Sequence, residues 1–493
     1  MLRNVLAGFR AAAFVMTVAS CAPLTALTHP EGTGGWDPSE RQHVLARHAD
    51  AAGVQLDSDV EANAAADDTV DTLTGPLDLA QALALATRGN RPLAEARHQL
   101  AIARQHVYDT RGRLLPATVG SGRFTWYTDS LTNSIPPIGD IAETGRAFEV
   151  RDGDLGTIRG SLTLPIDLSG ELRYALAAAQ AGYRGEAARL WATKLGQDVL
   201  VTGAYFTLLE AERLRDVTLQ TIAVQRQQHA NAERRFDRGR LTKNELLVVQ
   251  VGLRNAEQEL LQRELAIDHA RWALNGAIGQ PIDAATGVVD VRTRPILPDL
   301  RETLETAYTH NPALVALLEE QQRWQATATE LARGRFPRFA AGGAIDYSSA
   351  NTIDPTTVGS GFVGFEWDLG TDGRREARIA AARIEVDRNS TRLERELRQI
   401  ERVVRTTHRR IEERLAALDT AEIAVGQAEE NLRIRQQQFD VGRATSEDVL
   451  DAEALLAGQR ATLASALYQA QTRRAELQQL MGRPLDALVA DGR

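Results

Sequence analysis

Between Pro116 and Asp167, and again between Pro337 and Asp368, apolar and polar residues alternate with the two-residue period of a strand. In the first stretch Phe124 and Trp126 share a face with Gly120 and Gly122, opposed by Ser121, Arg123 and Thr125, and a returning strand carries Ile158, Leu162 and Leu164. In the second, Phe339, Ala341, Gly343, Ile345 and Tyr347 oppose Arg338, Gly342 and Asp346, and the returning strand carries Val363, Phe365 and Trp367. Strands are expected at about 117–128, 155–167, 338–349 and 357–368. After each pair the chain runs without proline from Glu171 to Phe236 and from Arg374 to Phe439. Each run is enough for roughly 100 Å of helix. A helix that long cannot bury its apolar stripe against a small core, so a coiled coil is expected.

This order of elements is written twice. Leu79, Leu83, Ala86, Asn90 and Pro116 recur 221 positions later as Leu300, Leu304, Ala307, Asn311 and Pro337. Phe236-Asp237, Gly239-Arg240, Thr242, Leu247, Leu274, Gly279, Pro281 and Asp283 recur 203 positions later, from Phe439-Asp440 to Asp486. The shorter second offset means that copy one carries extra residues, nearly all between Pro116 and Asp167. Each copy reads as helix, two strands, very long helix, tight turn, helix. The expected layout is therefore a signal segment at 1–20, an irregular leader at 21–77, repeat one at 78–285, repeat two at 286–487 and a short tail at 488–493.

One apolar and one polar face per strand is the pattern of a membrane barrel wall, although a half-buried soluble sheet alternates in the same way. Past the N-terminus no run of about 18 apolar residues occurs, so entry into a bilayer would fall to the strands. Even about eight strands only just enclose side chains, so four per chain require several chains to share one barrel.

Arg3 and Arg10 precede the short apolar stretch Ala11–Ala19, the pattern of a secretory signal peptide. The stretch ends in Val18-Ala19-Ser20-Cys21, a sequence similar to a bacterial lipobox, in which the thiol takes a diacylglycerol and becomes the mature N-terminus. The alternative is cleavage near Ala22 with Cys21 lost. With Cys21 acylated, Ala22 after it in place of an Asp implies delivery to the outer membrane. Cys21 is the only cysteine, which excludes an intramolecular disulfide and a cysteine-type zinc cluster.

Composition narrows the function further. Aromatics are 5% of residues, as suits extended helices, and the net charge of -9 is interleaved along them with no basic patch, so nucleic acid is not an expected partner. No HExxH, Gly-x-Ser-x-Gly or phosphate-loop motif is present, so no enzyme activity and no cofactor is expected. His29, His43 and His48 in the leader are irregularly spaced and are not read as a metal site.

Residues 78 to about 487 resemble the outer-membrane efflux protein family, which includes TolC and lipoprotein multidrug-efflux channels. The carriers are Leu79 to Pro116 with its mate, and the tip motifs Phe236-Asp237-Arg238-Gly239-Arg240-Leu241-Thr242 and Phe439-Asp440-Val441-Gly442-Arg443-Ala444-Thr445. The resemblance implies a mixed α and membrane-β fold: a homotrimer with a 12-stranded barrel, four strands per chain, standing on a long α-helical coiled-coil barrel in the periplasm. It also implies a passive exit channel of a tripartite efflux or secretion system, anchored in outer-membrane lipid and driven by an inner-membrane pump through a periplasmic adaptor. Its docking tips would be Asp237, Gly239, Arg240, Thr242, Asp440, Gly442, Arg443 and Thr445. These residues also read simply as helix-hairpin turns, with the glycines reversing the chain and the threonines capping the returning helix. Arg238 and Lys243 add positive charge that the second tip lacks. Near the second tip Glu429, Glu430 and Arg433 are gate candidates, with Glu429 and Arg433 spaced for an intrahelical pair. The competing reading is a periplasmic coiled-coil adaptor or structural lipoprotein that forms no pore.

Overall fold

The computed structural model describes residues 75–126, 128, 131–135, 146–151, 155–291, 293–349, 355–370, 373–441 and 443–485. The signal segment, Cys21, the leader histidines, Gly442 and the tail lie outside the described residues.

Copy one folds as α1 (Leu79–Gly89), α2 (Arg91–Gly112), β1 (Ala117–Thr125), β2 (Leu131–Ile135), β3 (Arg146–Arg151), β4 (Leu155–Ile166), α3 (Glu171–Asp237) and α4 (Lys243–Ile278). Copy two follows as α5 (Leu300–His310), α6 (Pro312–Arg333), β5 (Arg338–Ser348), β6 (Thr357–Glu366), α7 (Arg374–Asp440) and α8 (Ser446–Leu480). The two long helices, α3 and α7, each have 67 residues.

Two details differ from the pattern reading. The single helix expected ahead of the strands is a pair, broken at Asn90 and Asn311, whose backbones are extended. Each asparagine carboxamide then accepts a backbone N–H from the next helix, from Leu93 at 3.2 Å and from Ala313 at 2.9 Å. Pro92 and Pro312 sit in the first turns of α2 and α6, where a missing N–H costs nothing. The extra residues of copy one hold the antiparallel β2–β3 hairpin, which apolar alternation did not reveal.

The chain divides into two compact units, one holding the described residues of 104–181 and 322–386, the other those of 48–103, 182–321 and 387–493. In the first unit β1, β4, β5 and β6 form an antiparallel sheet in the order β1-β4-β5-β6. Register decides which side chains share a face: Ile158 lies opposite Tyr347, Leu164 opposite Ala341, Phe339 opposite Phe365 and Phe124 opposite Gly156. Phe124, Ile158, Leu162, Leu164, Phe339, Ile345, Tyr347, Val363 and Phe365 therefore fall on one continuous face, while Val119, Val358 and Phe362 lie on the other. On the other face Arg159 lies opposite Asp346, with their charged groups 3.6 Å apart.

The second unit holds two cores. Tyr205, Leu208, Leu274 and Tyr468 belong to one, Leu314, Val404, Ile411 and Leu477 to the other. The Tyr205 hydroxyl donates within 2.6 Å of the Val289 carbonyl, and the Tyr468 hydroxyl donates to Asp290 at 2.7 Å, so α3 and α8 both hold the segment that joins the two copies. Burial, then the neighbouring Asp290 carboxylate, pushes Tyr468 up to about 12. The helices close in left-handed glycines. Gly279 and Gly482 have φ of 75° and 69°, and each is followed by a residue whose N–H reaches back to a carbonyl five residues earlier, Gln280 to Asn275 at 2.9 Å and Arg483 to Gln478 at 3.1 Å.

Candidate functional site

Three features stand apart from ordinary packing: the exposed apolar sheet face, the two helix tips and the charged stretch above the second tip. On the sheet face Trp126 is 74% exposed, Phe365 66% and Val363 80%. Phe124 packs edge-on against Trp126 at 5.1 Å between ring centres, and Phe339 sits 5.9 Å from Phe365. A soluble monomer rarely leaves such a face open to water. The outer edges of β1 and β6 are also unpaired among the described residues, so their backbone groups are free to bond a further strand.

At the first tip α3 ends on Gly239, with φ of 70°. The Gly239 N–H bonds the Phe236 carbonyl at 2.8 Å, and the Arg240 N–H bonds that of Arg235 at 2.8 Å. Thr242 caps α4: its hydroxyl oxygen accepts the Glu245 N–H at 3.3 Å, and the Glu245 carboxylate accepts the Thr242 N–H at 2.8 Å. The second tip repeats this arrangement, with the Arg443 N–H on the Gln438 carbonyl at 2.8 Å and Thr445 capping α8 in exchange with Asp448. These hydrogen bonds hold the Glu245 and Asp448 carboxyls below their ordinary range. The Arg235 guanidinium lies 4.2 Å from the centre of the Phe439 ring and so joins the end of α3 to the end of α7. Asp237, Arg240, Thr242, Arg443 and Thr445 are exposed. Asp440 ends α7 with no side chain described, and Gly442 lies outside the described residues.

The gate candidates pair differently from the expected Glu429–Arg433 contact. Arg433 binds Glu430 one turn back at 2.6 Å. Glu429 instead accepts from Arg460 of α8 at 2.8 Å, and Arg460 also donates to Gln220 of α3 at 2.9 Å. Glu430 at i, i+3 is as well placed for Arg433 as Glu429 at i, i+4, and α8 offers Glu429 a guanidinium that no single-helix reading contains. The structure also places here a residue that the pattern missed. Glu453 of α8 is only 5% exposed, binds the Gln228 carboxamide of α3 through one oxygen and leaves the other without a partner. Burial raises its carboxyl to about 7. Its signal in the sequence is a lone acid on a face otherwise occupied by Val449, Ala452 and Leu456, which only the fold identifies as buried.

Among the described residues no helix is long and apolar enough to cross a membrane, and no group of three or more His, Cys, Asp or Glu is placed to hold a metal. The described residues thus comprise long paired helices and a small antiparallel sheet that is apolar on one side. The chain belongs to the outer membrane efflux protein family, whose defining pattern matches residues 82–280 and 303–483. The fold agrees with solved channels. The outer membrane protein VceC of Vibrio cholerae superposes with a TM-score of 0.68 at 18% identity, covering 82% of this chain and 96% of that one. CusC, described in terms of transmembrane channel formation, gives 0.68 at 16%, covering 84% and 96%. The open state of the Neisseria gonorrhoeae MtrE outer membrane channel gives 0.66 at 18%, covering 82% and 89%. Among curated proteins no sequence is similar enough to count as a relative.

Proposed function

We propose that three copies of this chain assemble into a 12-stranded barrel on a helical duct and serve as the passive outer-membrane exit of a tripartite efflux or secretion system. The observation that carries this reading is the four-stranded sheet, with one apolar exposed face and two open edges. In a bilayer each unpaired edge group would cost several kcal/mol, and joining β6 of one copy to β1 of the next removes every edge. The polar face, with Arg159 and Asp346 in register, would then line the water-filled side. The exposed tips, including Asp237, Gly239, Arg240, Thr242, Arg443 and Thr445, would meet a periplasmic adaptor that couples the duct to an inner-membrane pump. Glu429, Glu430 and Arg433 would lie where the duct narrows. Export through the segment at 1–20 and acylation of Cys21 belong to the same proposal, because they deliver the chain to outer-membrane lipid.

The test is reconstitution. Purified protein with cysteines introduced at Val119 on β1 and Phe362 on β6, which share the face of Arg159 and Asp346, should cross-link into a trimer in detergent and conduct ions in planar bilayers. A monodisperse monomer that retains its strand content, or a trimer that conducts nothing, would refute the channel and favour a non-pore coiled-coil lipoprotein.

A further inference from the structure

The N-terminal half of α7 carries a charge pattern that the proposed channel does not require and that corrects the reading of charge interleaved without a basic patch. From 388 to 409 the helix holds seven arginines, Arg388, Arg392, Arg395, Arg398, Arg402, Arg405 and Arg409, against three glutamates, Glu394, Glu396 and Glu401. The chain as a whole has a net charge of -9. The corresponding stretch of α3, residues 185–206, balances Arg189 and Lys194 with Glu186 and Asp198. The excess is therefore specific to copy two.

Its placement is as uneven as its amount. Arg388, Arg395, Arg402 and Arg409 follow one another at heptad spacing, and Arg398 and Arg405 lie beside them on the same exposed side. The opposite side of the helix is packed: Ile400, Val404 and Ile411 are buried in a core with Leu314, Leu477 and Met481. Arginines thus occupy the side of α7 turned away from its own unit's core. Local acids neutralise only part of the row. Glu394 lies 3.8 Å from Arg398, Glu401 2.9 Å from Arg405 and Glu412 2.8 Å from Arg409. Arg402 donates to the neutral Gln399. Arg395 has no ion pair among the described residues.

A dry contact between protein surfaces is a poor use of such a face, because each buried guanidinium without a carboxylate costs several kcal/mol. A water-filled passage is a good one. Low-dielectric walls focus the field of a charged row, and threefold repetition would bring three rows around one axis. Guanidinium groups offer paired donors that match the oxygens of carboxylates, sulfates and phosphates.

Building on the channel reading, we infer that the α7 arginine row lines the duct and that the channel favours anionic cargo carrying carboxylate, sulfate or phosphate groups. The experiment measures the reversal potential of reconstituted trimer under a tenfold KCl gradient, which reads the chloride-to-potassium permeability ratio. Wild type should favour chloride. Arg395→Glu with Arg402→Glu should lower the ratio by about threefold or more, and Arg395→Gln with Arg402→Gln should fall between the two. Arg301→Glu, on the highly exposed surface of α5, should leave the ratio unchanged. Conducting trimers whose ratio is the same in wild type and both double variants would overturn the inference and make the row a solvated exterior face. Loss of trimer in both double variants would overturn it too, by making the row an interface between copies. A wild-type protein that conducts nothing is a different failure, that of the channel reading itself.

Discussion

At the residue scale the most consequential side chain is Glu453, a carboxyl packed between α8 and α3 with one oxygen unbonded. Burial disfavours its charged form and lifts it from 4.5 to about 7, so the folded chain holds a proton there that the unfolded chain has lost. The sign follows. The favourable contribution of the protonated acid is complete below pH 4.5 and is lost as pH rises through 7. Glu453→Gln keeps the shape and the bond to Gln228 and removes the titration. It should raise the stability of the helical unit at pH 8 by roughly 2 to 4 kcal/mol and leave it nearly unchanged at pH 4.5. Thermal melts of both proteins across that range check this, and parallel curves at all pH values would mean that Glu453 is solvated.

At the element scale the chain reverses through left-handed glycines that look alike in sequence and differ in surroundings. A side chain on Gly482 would meet the His310 carbonyl oxygen at 2.1 Å, and one on Gly279 would meet the Gly89 carbonyl oxygen at 3.0 Å. Nothing lies within 4 Å of a side chain built on Gly239. Gly482→Ala should therefore cost well over the 1–2 kcal/mol of left-handed strain alone, and Gly239→Ala about that strain and no more. Chemical denaturation of the two variants gives the comparison. Equal losses would show that backbone conformation alone governs both sites. A bulky β-branched residue at Gly239 should in turn leave membrane insertion intact and reduce efflux in cells, because that turn is proposed to be the docking end.

At the scale of the whole molecule the proposed gate can be probed through two contacts of different reach. Glu430 and Arg433 pair within α7, whereas Glu429 reaches Arg460 of α8, which also holds Gln220 of α3. Reversing Arg433 removes a bond inside one helix, but reversing Glu429 loosens a node of three helices. Both Arg433→Glu and Glu429→Lys should raise conductance in planar bilayers and sensitivity to exported compounds without lowering trimer yield, with the larger effect from Glu429→Lys. Wild-type conductance in both would place the closure elsewhere along the duct.

The sequence by itself determined the periodic parts of this protein. Proline-free runs and two-residue alternation are local properties of the backbone, so α3, α7 and the four strands of the main sheet were legible, as were the threonine caps at Thr242 and Thr445. Asn90 with Pro92, and Asn311 with Pro312, carried a legible helix start that the apolar period ran across. Tertiary structure decided whatever depends on which surfaces meet. Register alone joined Phe124, Ile158, Phe339 and Phe365 into one face. Packing of α8 against α3 made Glu453 a buried acid, and the reach of Arg460 took Glu429 from its helical neighbour. A carboxylate chooses among partners by distance in space, and a one-dimensional pattern lists only those on its own helix.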